Sequence, residues 1–194
     1  MVYQLHDRDF VLIRHAPVSR GGFLFGRTDA SARLPAETAL SSLRERLSLA
    51  QTRISSPALR CRQTAAALWG EENFKADDPD LLEQDFGDWE GLPYADLPNI
   101  GDLSGEALAA HAAPNGESFN EVCARAIPVL LHLAASQPGP TAAVVHAGIV
   151  RAFLAHAIGS AANALKFEVD CLSISRFRLT SGGEVVVRDV NTSL

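Results

Sequence analysis

The chain has 194 residues, 47% of them hydrophobic and 21% charged, which excludes a disordered or fibrous protein. A net charge of −6 disfavours a general nucleic-acid surface, because that needs a basic face to displace counterions from phosphates. The most apolar stretch, residues 142–159, is interrupted by His146, Arg151 and His156, so nothing approaches the roughly 20 uninterrupted apolar residues of a membrane helix.

The length suits one domain over residues 1–194, large enough to bury about 70% of its unfolded surface without a disulfide or structural metal. Cys61, Cys123 and Cys171 are odd in number and far apart, with no CxxC spacing, and read as reduced, mostly buried thiols. Charged residues precede any apolar run at the N-terminus, the wrong order for a secretory signal. The expectation is a soluble, cytoplasmic protein with no nucleic-acid or membrane partner; a homodimer is compatible with the sequence. Apart from Lys75 and Lys166 the positive charge is arginine, the better oxyanion binder, although genome composition accounts equally well for that bias.

Residues 10–13 are four consecutive apolar residues, mostly branched, and predict a buried strand ending in Arg14 and His15. Arginine offers a planar fork to phosphate oxygens, and neutral histidine offers a ring nitrogen that is nucleophilic near neutral pH. Residues 17–31 have no helical period and read as a loop. Within it, Gly26 allows close backbone approach to a ligand and Arg27 offers an anion contact, the competing reading being a turn with a solvated arginine. Leu40, Leu43, Leu47 and Ala50 predict a helix over residues 34–49. A short strand over 52–57 then leads into a helix over 58–69. Arg60 and Arg62 lie in its first turn, where free N–H groups already favour anions. Residues two apart face different ways, so one of them points to a common pocket, and Arg60 is chosen.

Residues 81–91 interleave acids with aromatics and glycines. A carboxylate beside apolar rings has a raised pKa, as a general acid needs, which makes Glu83 or Glu90 the candidate, with Asp85 and Asp88 solvated or capping. Residues 93–114 read as short irregular helices. An amphipathic helix over 118–135 follows, with Val122, Ala126, Val129, Leu130 and Leu133 on one stripe and Pro128 as a kink; Glu117 either reaches the site or complements the helix start. Residues 141–146 repeat the opening pattern, an apolar strand ending in His146, then Ala147, Gly148 and a helix over 149–158. Two such strands suggest one parallel sheet with its ligands at the carboxyl edge. Residues 171–179 and 184–190 alternate around Ser181-Gly182-Gly183 and predict a hairpin.

The ordered strings LIRHAP, GRTD, SSPALRCRQTA, LEQDFGDWEG, PNGES and VVHAGIVRAF resemble the histidine phosphatase (phosphoglycerate mutase-like) superfamily, with wording most similar to α-ribazole phosphatases. The resemblance runs from about Phe10 to Phe153. It implies an α/β protein, a three-layer α/β/α sandwich with a mostly parallel sheet, acting without metal or cofactor on a small-molecule phosphate ester. It implies that His15 becomes phosphohistidine, that Arg14, Arg60, His146 and the backbone of Ala147 bind the transferring group, and that Glu83 is the acid. Gly26 and Arg27 are implied to touch substrate. The activity implied is a phosphomonoesterase, with α-ribazole 5′-phosphate of cobalamin biosynthesis as the leading substrate. A phosphoglycerate mutase, a broad sugar-phosphate phosphatase and a non-catalytic binding module are the alternatives.

The sequence departs from the family pattern over residues 16–21, where the usual phosphate-binding Asn is missing. Ser19, Arg27 or backbone amides of residues 21–26 are the available replacements. Phe23, Phe25, Arg27, Tyr94 and Arg151 are the candidates for the pocket mouth.

Overall fold

The computed structural model describes residues 5–137 and 139–193. Its central strand, β1 (Asp9–Arg14), alternates between two hydrophobic cores because successive side chains in a strand point to opposite faces. Phe10 and Leu12 enter one core, Val11 and Ile13 the other. The remaining strands are β2 (Thr52–Ser55), β3 (Thr141–Val145), β4 (Ile174–Leu179) and β5 (Val185–Thr192), and the sheet order is β2-β3-β1-β4-β5. β1 and β2 both pair parallel to β3; β4 is antiparallel to β1 and β5 antiparallel to β4, so only β4 runs against the others.

The helices are α1 (Glu37–Arg46), α2 (Leu59–Trp69), α3 (Gly105–Ala110), α4 (Phe119–Ser136), α5 (Ala147–Ile158) and the short α6 (Ala161–Ala164). Leu40 and Leu43 of α1, with Cys61, Ala65 and Leu68 of α2, cover the Val11/Ile13 face. Val122 and Leu130 of α4, with Ile149 and Phe153 of α5, cover the other. This is the three-layer, mostly parallel sandwich that the resemblance implies.

α4 runs through Pro128 and starts at a capping box, in which Ser118 and Glu121 satisfy each other's backbone N–H groups. α1 is shorter than expected at both ends, and α5 begins two residues early, directly after His146. The predicted hairpin is β4–β5, closed through Thr180 N–H to Glu184 O at 2.8 Å. Cys61, Cys123 and Cys171 are unpaired. Among the described residues no helix is long and apolar enough to cross a membrane.

Phe153 joins the α5 layer to the sheet, its ring edge-on to Phe10 at 5.4 Å and to Phe177 at 4.9 Å. It is 1% exposed, so Phe153→Ala empties a site with little room to collapse. A loss of about 3–5 kcal/mol in unfolding free energy is expected, read from urea denaturation at neutral pH.

Candidate active site

The β1–β3 register pairs Arg14 with Val145, and the N–H of His15 extends the ladder by donating to Val145 O at 2.9 Å. The next residues, His15 and His146, therefore emerge side by side at the carboxyl edge of the sheet, ring centroids 5.2 Å apart. Both are buried, at 5% and 0% exposure.

Hydrogen bonding selects the tautomer of His15. Its Nδ1 lies 2.7 Å from Ala16 O, which can only accept, so Nδ1 carries the proton. Arg60 Nε donates to Nε2 at 3.3 Å, so Nε2 presents a lone pair. Burial, reinforced by the Arg60 and Arg14 charges, pushes the imidazole down to about 3, which leaves it neutral at physiological pH. His146 is also held well below its ordinary value, again by burial first and by Arg60 next. Its Nε2 lies 2.8 Å from Ser56 Oγ and 3.4 Å from Cys61 Sγ.

Arg60 sits in the first turn of α2 and is 1% exposed, whereas Arg62 points to solvent. Besides His15, Arg60 donates to Gly26 O at 2.7 Å and Thr28 O at 3.3 Å. Those carbonyls are aimed by Glu90, whose carboxylate accepts the amides of Gly26, Arg27, Thr28 and Phe86 at 2.8–3.2 Å. Glu90 is thus a loop clamp, and its hydrogen bonds outweigh burial to hold its pKa below the ordinary carboxylate value. Gly26 fits because a Cβ there would overlap Gln84 O. Arg14 donates through Nη1 to Val169 O at 2.6 Å, while its buried Nε has no partner.

Glu83 reaches the same edge from the loop after a short helical turn at Pro79–Leu81. Its Oε1 accepts the N–H of Gln84 at 3.0 Å and of Gly148, in the first turn of α5, at 3.1 Å. A Cβ at residue 148 would overlap Glu83 Oε1, so a side chain there would displace the Glu83 carboxylate from its present place. Ala147 opens α5 between His146 and Gly148, placing its backbone in the helix N-terminal turn beside both histidines.

Glu117 does not enter the site. It accepts from Arg125 at 2.6 and 2.9 Å and from the Asp85 amide at 2.9 Å. Arg125 in turn donates to Glu83 O at 3.1 Å and Asp80 O at 2.7 Å, so the pair braces the Glu83 loop from behind.

A cavity of about 200 Å³ opens over His15, lined by Arg14, Arg60, Glu83 and, at its mouth, Phe23, Phe25 and Tyr94. The structure places the other expected mouth residues elsewhere. Arg27 faces Glu117 at 3.4 Å, the Gly26 amide is taken by Glu90, and Arg151 donates to Phe167 O at 2.9 Å. Ser19 donates to Ser31 O at 3.1 Å. Of the replacements for the missing Asn, the 21–26 segment lines the cavity, through Gly21, Gly22, Phe23 and Phe25, whereas Ser19 and Arg27 do not. Arg33 and Cys171 line it too. Neither was singled out from sequence, nor were Ser56 and Arg125. Arg125 lies eight residues after Glu117, which precedes the α4 N-cap, beyond the three- or four-residue spacing at which side chains of one helix meet. A larger groove of about 670 Å³ along α2 contains none of these site residues.

A doubly covered, mostly parallel sheet with this edge defines the phosphoglycerate mutase-like class of α/β proteins. A family model of the histidine phosphatase superfamily (branch 1) matches residues 10–192, and the chain belongs to that superfamily. The mycobacterial hydrolase 1 structure is similar over 96% of this chain and 99% of its own, with a TM-score of 0.83 and 25% identity. A mycobacterial glucosyl-3-phosphoglycerate phosphatase complexed with VO3 gives 0.81 and 26% over 96% and 100%. An α-ribazole phosphatase from Shigella flexneri gives 0.76 and 23% over 95% and 96%, a likeness of fold. Among curated proteins, the fructose-2,6-bisphosphatase TIGAR of Xenopus tropicalis is 32% identical over 77 residues, which span 37% of this chain and 28% of that protein.

Two outcomes follow from this geometry. In the unfolded chain His15 takes up a proton near the ordinary histidine value of 6.5, but in the fold only near 3, so stability is full above 6.5 and falls as pH drops toward 3. The slope reaches about 1.4 kcal/mol per pH unit for this group, and urea midpoints at pH 7.5 and 4.5 should differ less in His15→Asn than in the wild type. Glu117→Gln breaks the brace while leaving His15 and Arg60 in place. Turnover is expected to fall about 10-fold or more with little change in KM, measured under saturating substrate.

Proposed function

We propose that this enzyme is a phosphomonoesterase working through a phosphohistidine. The observation that supports this reading is the buried, unprotonated Nε2 of His15 facing a cavity shared with Arg14, Arg60 and Glu83. Nε2 attacks phosphorus in line, an N–P bond forms and the P–O bond to the alcohol breaks. Glu83 delivers a proton to the departing oxygen, then removes one from the water that attacks the phosphohistidine, and inorganic phosphate leaves. Arg14, Arg60, His146 and the Ala147 amide hold the equatorial oxygens, fixed donors that need no rearrangement as charge develops.

The substrate is a small phosphate ester. Glucosyl-3-phosphoglycerate and α-ribazole 5′-phosphate, named for similar structures, are the two to assay first. The unpaired cysteines support a cytoplasmic setting, and a family match over 10–192 supports one domain.

With p-nitrophenyl phosphate, His15→Ala is expected to abolish turnover. Glu83→Gln should slow dephosphorylation and accumulate a protein-bound phosphate that acid releases and alkali does not. Activity retained in His15→Ala overturns the mechanism. Formation of an isomerised ester from a phosphoglycerate, without release of phosphate, points to a mutase.

A further inference from the structure

The cavity over His15 holds more positive charge than one transferring phosphoryl group uses. Arg14, Arg33 and Arg60 line it, and Glu83 is the one carboxylate among its lining residues. Three of the five Arg60 N–H groups go to His15, Thr28 and Gly26, which leaves two for the transferring phosphoryl group. Arg14 leaves the end of β1 directly beside His15. Arg33 belongs to neither strand end and stands on the rim.

Backbone pairing fixes that place. The Arg33 N–H donates to Pro17 O at 2.6 Å, Val18 bridges Ala32, and the Ala32 N–H donates to Gln63 Oε1 at 2.7 Å. The Arg33 guanidinium itself makes no hydrogen bond or ion pair among the described residues. Outside the lining, Arg20 lies 3.8 Å over the ring of Phe23, a lining residue, and adds positive potential on that side. The enclosed volume, about 200 Å³, is below the usual range for small-molecule sites, so the alcohol half of an ester bound at His15 extends out to this rim.

We infer that Arg33 receives a second anionic group, a carboxylate or phosphate on the alcohol half, and that the enzyme selects small phosphate esters bearing two anionic groups. This rests on the phosphomonoesterase reading above. A free guanidinium offers a planar pair of donors matched to either oxyanion, and its side chain is free to turn toward the bound ester.

The test uses matched esters: 3-phosphoglycerate against glycerol 1-phosphate, which exchange a carboxylate for a hydroxymethyl group, and fructose 1,6-bisphosphate against fructose 6-phosphate. Wild-type kcat/KM is expected to favour the doubly anionic member of at least one pair by roughly 10-fold or more at low salt, with the preference shrinking as salt rises. Arg33→Met should reduce that ratio to about threefold or less, and Arg33→Lys should restore part of it. An equal loss on both members assigns Arg33 to the transferring phosphoryl group and overturns the inference. So does an unchanged ratio, or wild-type indifference to the second charge while p-nitrophenyl phosphate is still hydrolysed in a His15-dependent way. Turnover that survives His15→Ala fails the phosphatase reading instead, and the two failures are told apart by that control.

Discussion

The parallel pairing of β1 with β3 is the constraint on which the site depends. Each strand is buried on both faces, so a slip of one residue would exchange the Phe10/Leu12 and Val11/Ile13 faces and ruin both cores. The register that packs the cores is the one that ends both strands together and leaves His15 and His146 with ring centroids 5.2 Å apart. A pair of buried imidazoles at a sheet edge survives only if neither is charged, because two desolvated cations beside Arg60 would repel and lose hydration. Packing therefore sets the charge state: the burial that stabilises the strands also keeps Nε2 of His15 unprotonated.

Around that edge, buried charge is held in nested layers. Arg60 is a buried guanidinium with no carboxylate at hydrogen-bond distance among the described residues; its partners are carbonyls of residues 26 and 28 and the His15 nitrogen. Those carbonyls point inward because Glu90 gathers the amides of the same segment on the other side. The peptide groups between them act as polarised links from a carboxylate to a guanidinium. Glu117 and Arg125 do the equivalent for the opposite wall, gripping the backbone on both sides of Glu83 while the Glu83 carboxylate faces α5. Glu90 and Glu117 hold the frame so that Glu83 can face the cavity.

This division explains what the sequence does and does not disclose. Strands β1 and β3, the β4–β5 hairpin and the striped α4 are legible because burial imposes a local period. That Arg60 and Arg62 face different ways is legible too, from helical spacing, but which of them is buried is decided by how α2 packs. Glu83 and Glu90 are not separable by composition. Both lie beside aromatics and glycines, and what distinguishes them is which amides turn toward each, a property of tertiary contacts. The same holds for Arg27, which faces Glu117 from 90 residues away, and for Ser56, whose hydroxyl meets His146 across 90 residues. Arg33 is adjacent to no motif and reaches the cavity through pairing of two loop segments.

That pairing also accounts for the departure over residues 16–21. Ala16 is fully buried and its N–H donates to Thr64 Oγ1 at 3.0 Å, so the chain leaving His15 is pinned to α2 before the loop begins. From Pro17 the loop runs against residues 31–33, with Arg33 N–H to Pro17 O and Ser19 N–H to Ser31 O. The Ser19 hydroxyl is drawn to Ser31 and away from the cavity. No neutral side-chain donor from this loop then reaches the phosphoryl position. Charged donors and backbone are left to surround it, and hydrogen bonds from charged donors are the stronger ones. On the inference drawn for Arg33, a site built this way discriminates weakly on the neutral parts of an ester and strongly on where its negative charges lie.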